Sequence, residues 1–168
     1  MSLMLLFAAG SAASMTPVRP PRQGELAARL LAVHNRARAE VGAPPMVWDE
    51  ALAESAASYG PRLAGLGRLE HSNRADRPGQ SENLSMDPVW RGTPESLAGM
   101  WVDEKKLFVP GTFPAVTTTG RWEDVAHYTQ VIWRGTTRVG CGLHDENGWR
   151  YLICRYSPKG NADGKIVP

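Results

Sequence analysis

The dipeptide Asn147-Gly148 constrains this chain more than any other feature. A two-residue hairpin turn needs positive φ at both central positions, which Asn and Gly tolerate best, and apolar runs flank the pair. A turn there sets the register. Glu146 faces Trp149, His144 faces Tyr151, Leu143 faces Leu152 and Cys141 faces Cys154. Counted outward from the turn, 141/154 is a non-hydrogen-bonded pair, where opposing side chains come closest. These are the only two cysteines in the chain, so a Cys141–Cys154 disulfide is expected. One face of the hairpin carries Val139, Cys141, Leu143, Leu152, Cys154 and Tyr156. The other carries Trp149, Tyr151 and Ile153 with Gly140 and Gly142. Both faces are largely apolar, which predicts a sheet covered on both sides.

Two longer motifs surround the hairpin. His127-Tyr-Thr-Gln-Val-Ile-Trp133 is followed by Arg138-Val-Gly-Cys141, and later comes Cys154-Arg-Tyr-Ser-Pro-Lys-Gly-Asn161. Together, at this spacing, they resemble the two signature motifs of the CAP superfamily. That superfamily comprises the cysteine-rich secretory, antigen 5 and pathogenesis-related 1 proteins, also called SCP domains, and the plant-type and bacterial secreted members are most similar. The resemblance spans about residues 25–162. It implies an α+β fold, a three-layer α-β-α sandwich with a small, mainly antiparallel sheet.

The chain has 168 residues and a formal net charge of +2, enough for one domain with a real core. Its basic residues are scattered, with no run suited to a polyanion, so nucleic acid is not an expected partner. Residues 1–13 read as a secretory signal: Leu3 to Ala9 form an apolar stretch, and Ser11-Ala-Ala13 places small residues at a cleavage site. No other apolar run approaches the length needed to span a membrane. A disulfide also persists best in an oxidising compartment. Secretion, or a periplasmic location, and a monomeric state are therefore expected. Residues 14–24 read as a Pro- and Arg-rich lead-in, and 25–168 as the CAP domain.

Periodicity places the helices. Leu26, Leu30, Val33 and Ala37 mark one over 25–41, stopped by Gly42-Ala-Pro-Pro45. His34 lies inside it and is expected to pack or cap, not to ligate. Asp49 is placed to cap a second helix, which Pro61 should kink or end. Thr93-Pro94-Glu95 opens a third, expected to run to about Phe108. Residues 82–86 are expected as a further strand, and 109–126 as a loop. Pro158, Gly160 and Gly164 predict an open C-terminal tail, which in some plant relatives is thought to be released as a signalling peptide.

The resemblance also implies a polar cleft. His127 opens the HYTQVIW motif, Glu82 is the acid of Ser81-Glu-Asn-Leu84, His71 precedes it in a His-Ser context, and Glu104 follows Trp101-Val-Asp103. Two neutral imidazoles, His71 and His127, can hold zinc or another divalent metal with waters at the open positions. Glu82 and Glu104 can accept the other ring N–H of each histidine and fix its tautomer. The same carboxylates are candidate catalytic bases. The longer Asn73–Gln80 loop leaves the placement of His71 open, and Glu123 is an alternative fourth carboxylate. No Gly-x-Ser-x-Gly elbow supports a serine nucleophile at Ser72 or Ser81.

Two classes of function follow. One is an extracellular binding module, with Phe108, Val109, Phe113 and Trp122 forming an apolar ligand site for a sterol or lipid, or with an extracellular protein as partner. The other is a metal-assisted extracellular hydrolase that uses the same cleft.

Overall fold

The computed structural model describes residues 21–168. The expected signal segment 1–13 and most of the lead-in lie outside the described residues.

The β4–β5 hairpin forms around its turn as the sequence requires. Strand β4 is Arg138–Glu146 and β5 is Trp149–Ser157, with Asn147 at φ 51° and Gly148 at φ 80° between them. The expected register holds at every pair, from Glu146 opposite Trp149 to Cys141 opposite Cys154. The two cysteines are bonded, with Cα atoms 4.1 Å apart, the close spacing of a non-hydrogen-bonded pair. Two further strands complete the sheet, in the order β1-β4-β5-β2. Strand β1, Val47–Trp48, runs parallel to β4, and β2, Ser81–Pro88, runs antiparallel to β5. Strand β2 is longer than the expected 82–86 because Ser81, Asp87 and Pro88 also find partners in Tyr156, Arg150 and Trp149.

Period-2 alternation gives the sheet two separate cores. Val139, Cys141, Leu152, Cys154 and Tyr156 join one core with Leu26 and Leu30 of α1 (Gln23–Glu40), Leu97 and Trp101 of α4 (Pro94–Asp103), and Val131 and Ile132 of α5 (Ala126–Ile132). Tyr151, Ile153 and Leu84 join a smaller one with Ala56 of α2 (Glu50–Ala57), Tyr59, and Leu63 of α3 (Gly60–Leu66). The result is a three-layer α-β-α sandwich. The second layer sits close because Gly140 and Gly142 carry no side chain: a Cβ on Gly140 would lie 2.2 Å from the Ala53 nitrogen, and one on Gly142 would lie 2.4 Å from the Ala57 Cα.

Local signals set the helix ends. The Asp49 carboxylate accepts from the Leu52 N–H, and Thr93 and Ser96 exchange reciprocal capping bonds at α4. Pro61 opens α3 instead of kinking one long helix. Helix α4 stops at Asp103, five residues short of the expected Phe108, and a 3-10 turn over Glu104–Lys106 follows. Inside α1, the Asn35 amide bonds both backbone groups of Met46, at 3.1 and 2.8 Å, which holds the lead into β1. Arg38 is buried and donates to the carbonyls of Pro44, Val131, Trp133 and Thr136, tying α1 to the end of α5.

The tail is not open. Ile166–Val167 forms β6, paired with β3 at Gly111–Thr112, and Val167 is fully buried. A turn at Asp163-Gly164, with Gly164 at φ 75°, brings the chain back toward the domain, and the buried Val167 near the end anchors it.

Two stability predictions follow. Replacing both cysteines by serine opens a loop of sequence separation 13 and should cost about 3 kcal/mol in denaturant unfolding, through unfolded-state entropy. A loss near zero would show that the paired strands alone set the hairpin. Gly140→Ala should lower stability by about 3 kcal/mol, because α2 must move away from the sheet. A wild-type denaturation midpoint in that variant would contradict the close approach.

Candidate functional site

Strand β2 brings the two halves of the site together. Its alternation turns Glu82 to the side of Leu84 and α2, and Asn83 to the side of α4 and α5. Each half pairs one histidine with one glutamate.

On the Glu82 side, His71 Nδ1 lies 2.9 Å from Glu82 Oε1. The same carboxylate accepts from the Ser72 N–H at 3.0 Å and from the Ser72 hydroxyl at 2.7 Å. Arg155 Nε stands 3.4 Å from its second oxygen, and Arg77 Nε 3.9 Å from its first. Burial alone would raise the Glu82 carboxyl. The hydrogen bonds from His71 and Ser72, together with the Arg77 charge, outweigh it and hold the group below the usual carboxylate range. The Ser72 hydroxyl also accepts from Arg77 at 2.9 Å, so it contacts a carboxylate and guanidinium groups but no imidazole. Ser81 turns its hydroxyl to Gln130. Neither serine hydroxyl pairs with an imidazole among the described residues, so neither forms the Ser–His couple of a triad.

On the other side, Glu104 sits at the end of α4 and receives three N–H groups. His127 Nδ1 lies 2.6 Å away, and the backbone N–H groups of His127 and Tyr128 each donate at 3.0 Å. The carboxylate thus fixes the imidazole and ties down the first turn of α5 at once. The His127 ring also lies nearly parallel to Trp101, with centroids 6.3 Å apart. Glu123, the alternative carboxylate, is exposed and makes none of these contacts.

His71, Glu82 and His127 line one open cleft of about 900 Å³, and Glu104 stands behind His127. Of the expected apolar contacts, Phe113 and Trp122 line this cleft, with ring centroids 5.4 Å apart. Phe108 and Val109 do not. Phe108 packs edge-on against Tyr128, and Val109 is exposed and bonds the Val116 carbonyl. The cleft lip over 160–163 is set by Asn161, whose amide donates to the Ala126 carbonyl at 2.8 Å and accepts from Thr129 at 2.9 Å.

Both histidines present the same arrangement. Nδ1 is committed to a carboxylate, and Nε2 has no protein partner among the described residues. That donor set suits an open two-nitrogen metal site. A closed protein cage is not formed: no group of three or more His, Cys, Asp or Glu side chains able to hold a metal occurs among the described residues.

The model of the CAP family, cysteine-rich secretory proteins, matches residues 31–156. The chain belongs to the CAP family. The matched span contains all four cleft residues and both cysteines. A pathogenesis-related protein of PR-1 type from Sambucus nigra is 37% identical over 133 residues, covering 79% of this chain and 75% of its own. Pathogenesis-related leaf protein 6 of Solanum lycopersicum is 39% identical over 140 residues, covering 80% and 79%. Among solved structures, NaASP2 with Zn2+ superposes at a TM-score of 0.71 with 24% identity, over 85% of each chain, and this likeness speaks to the fold. Na-ASP-1 gives a TM-score of 0.70 at 25% identity, where this CAP domain spans 84% of its own length and 41% of that protein's.

Arg77, Arg155 and Asn83 of this CAP site escaped the sequence reading, and Ser72 was weighed there only as a nucleophile. All four contact the histidine–glutamate pairs. Asn83 donates to the His127 carbonyl at 3.1 Å and to the Tyr156 hydroxyl at 3.2 Å, and that hydroxyl lies 2.9 Å from His34 Nε2. The β2–β5 register, which sets Glu82 opposite Arg155, is the signal that would have found Arg155.

His34 is fully buried, with Nδ1 2.8 Å from the Leu30 carbonyl. Burial pushes the imidazole from 6.5 down to about 4, against the pull of that carbonyl. The unfolded chain therefore binds the proton first. The stability supplied by neutral His34 is complete above about 6.5 and is lost as pH falls toward about 4. At about 1.4 kcal/mol per pH unit, the loss should reach about 3 kcal/mol. Urea unfolding at a series of pH values should show this slope in the wild type and a flatter one in His34→Gln. Equal slopes would mean that His34 is not the titrating group.

Proposed function

We propose that this protein is exported and works outside the cell, or in the periplasm, as a CAP-domain binding module. The carrying observation is the state of the two carboxylates. Glu82 and Glu104 each accept several N–H or O–H donors and each hold a histidine by Nδ1. A carboxylate so fully engaged orients an imidazole well and serves poorly as a general base. Binding is therefore favoured over metal-assisted hydrolysis. His71 and His127 would hold a divalent ion such as zinc through Nε2. The bound ion would supply a Lewis-acid centre for an anionic or carbonyl group of a ligand.

Export draws support from the disulfide, from the secretory character in the family's name, and from the signal pattern of residues 1–13, with 25–168 as the working domain. No described helix is long and apolar enough to cross a membrane. Trp122, packed on the buried Phe113, supplies an apolar wall beside the polar groups, suited to a sterol, a lipid or an apolar side chain of an extracellular protein.

Calorimetric titration with zinc tests the reading. Affinity should be lower in acid than at neutral pH, because protons compete with the metal for its ligand lone pairs. His127→Ala should abolish binding yet leave melting of the zinc-free protein nearly unchanged, since Glu104 keeps its two backbone donors. Glu104→Gln should weaken zinc by about 10–100-fold. Wild-type zinc affinity in His127→Ala would remove the cleft as the metal site.

A further inference from the structure

The charges around the cleft are unevenly placed. Glu82 is shared by two guanidinium groups, Arg77 and Arg155, so that buried cluster retains an excess of positive charge. Arg74 and Lys159 also line the cleft, and neither side chain has an ion-pair or hydrogen-bond partner among the described residues. Their positions are held. Arg74 starts a 3-10 turn that Asn73 caps, and the Lys159 N–H bonds the Gly79 carbonyl at 3.1 Å, which joins its segment to the Arg74 loop. Asp163, exposed on the lip, is the only other carboxylate of the lining. Trp122 brings an exposed indole to the same space, backed edge-on by the buried Phe113, and the buried Gln80 Oε1 has no hydrogen-bond donor among the described residues.

We infer that the cleft selects a small organic anion with a flat apolar body, its head held between Arg74 and Lys159 and its body laid on the exposed indole of Trp122. This rests on the binding-module reading and names the ligand class for it. Two unpaired cations raise the local concentration of an anion. An aromatic wall favours a planar apolar body by stacking and by area removed from water. A strongly cationic ligand is disfavoured, because it would meet Arg74, Lys159 and the over-compensated Glu82 cluster.

Two fluorescent probes with the same aromatic frame test this in the presence of a chelator: 8-anilinonaphthalene-1-sulfonate and neutral N-phenyl-1-naphthylamine. The wild type should bind the sulfonate at least about tenfold more tightly than the neutral probe, and the difference should shrink as salt rises. The Arg74→Ala/Lys159→Ala double variant should bring the two affinities together, while Trp122→Ala should weaken both probes. Equal affinities in the wild type, or an unchanged difference in the double variant, would overturn the anion preference and leave the cleft as a binding site. Unchanged binding of both probes in Trp122→Ala would place them outside the cleft and overturn the anion site together with the apolar wall on which the binding reading draws.

Discussion

Everything in this domain hangs on the pairing of β4 with β5. The register places a disulfide on one face and two glycines on the other. The disulfide face meets α1, α4 and α5 across large side chains, whereas the glycine face lets the α2 backbone approach almost to contact. A one-residue slip would exchange the faces, driving Val139 and Cys141 into α2 and leaving the larger core without its floor. The covalent bond and the close helix approach therefore restrain the same register from opposite sides of the sheet.

The edge strand β2 extends that order to the cleft. Because β2 pairs with β5, Glu82 is carried to one side of the sheet and Asn83 to the other. Glu82 gathers His71, Ser72, Arg77 and Arg155. Asn83 reaches the His127 carbonyl and, through the Tyr156 hydroxyl, the buried His34. The two histidines of the cleft thus belong to different layers of the sandwich and meet only at the end of this strand. Their Nδ1 atoms are both fixed by carboxylates, so both rings are set in orientation before any ligand arrives.

The cleft lip is built by segments distant in sequence. Phe113 leaves β3, which pairs with β6 at the C-terminus, and the Lys165 carbonyl and Gly164 N–H both bond the Phe113 backbone. Asn161 pins the start of α5. A loop without a disulfide staple of its own is held by the tail and by the Glu104 carboxylate. Hydrogen bonds to α5 do here what a covalent link could have done.

By itself the sequence determined the hairpin, its register, the disulfide, the helix starts at Asp49 and Thr93, and the burial of His34. These follow from rules that act over a few residues: a turn demanding positive φ, alternation with period two, a cap matched to free N–H groups. The motifs likewise pointed to His71, Glu82, Glu104 and His127 as one group. Only the tertiary structure decided what those residues touch. That Glu104 and not Glu123 holds His127, that Arg155 and Arg77 share Glu82, that Phe113 and Trp122 but not Phe108 and Val109 line the cleft, and that Val167 closes a strand against Gly111 all depend on contacts between residues far apart in the chain. No periodicity records such contacts. They are settled by which buried polar groups can find partners once the layers have packed, and that requirement belongs to the whole fold.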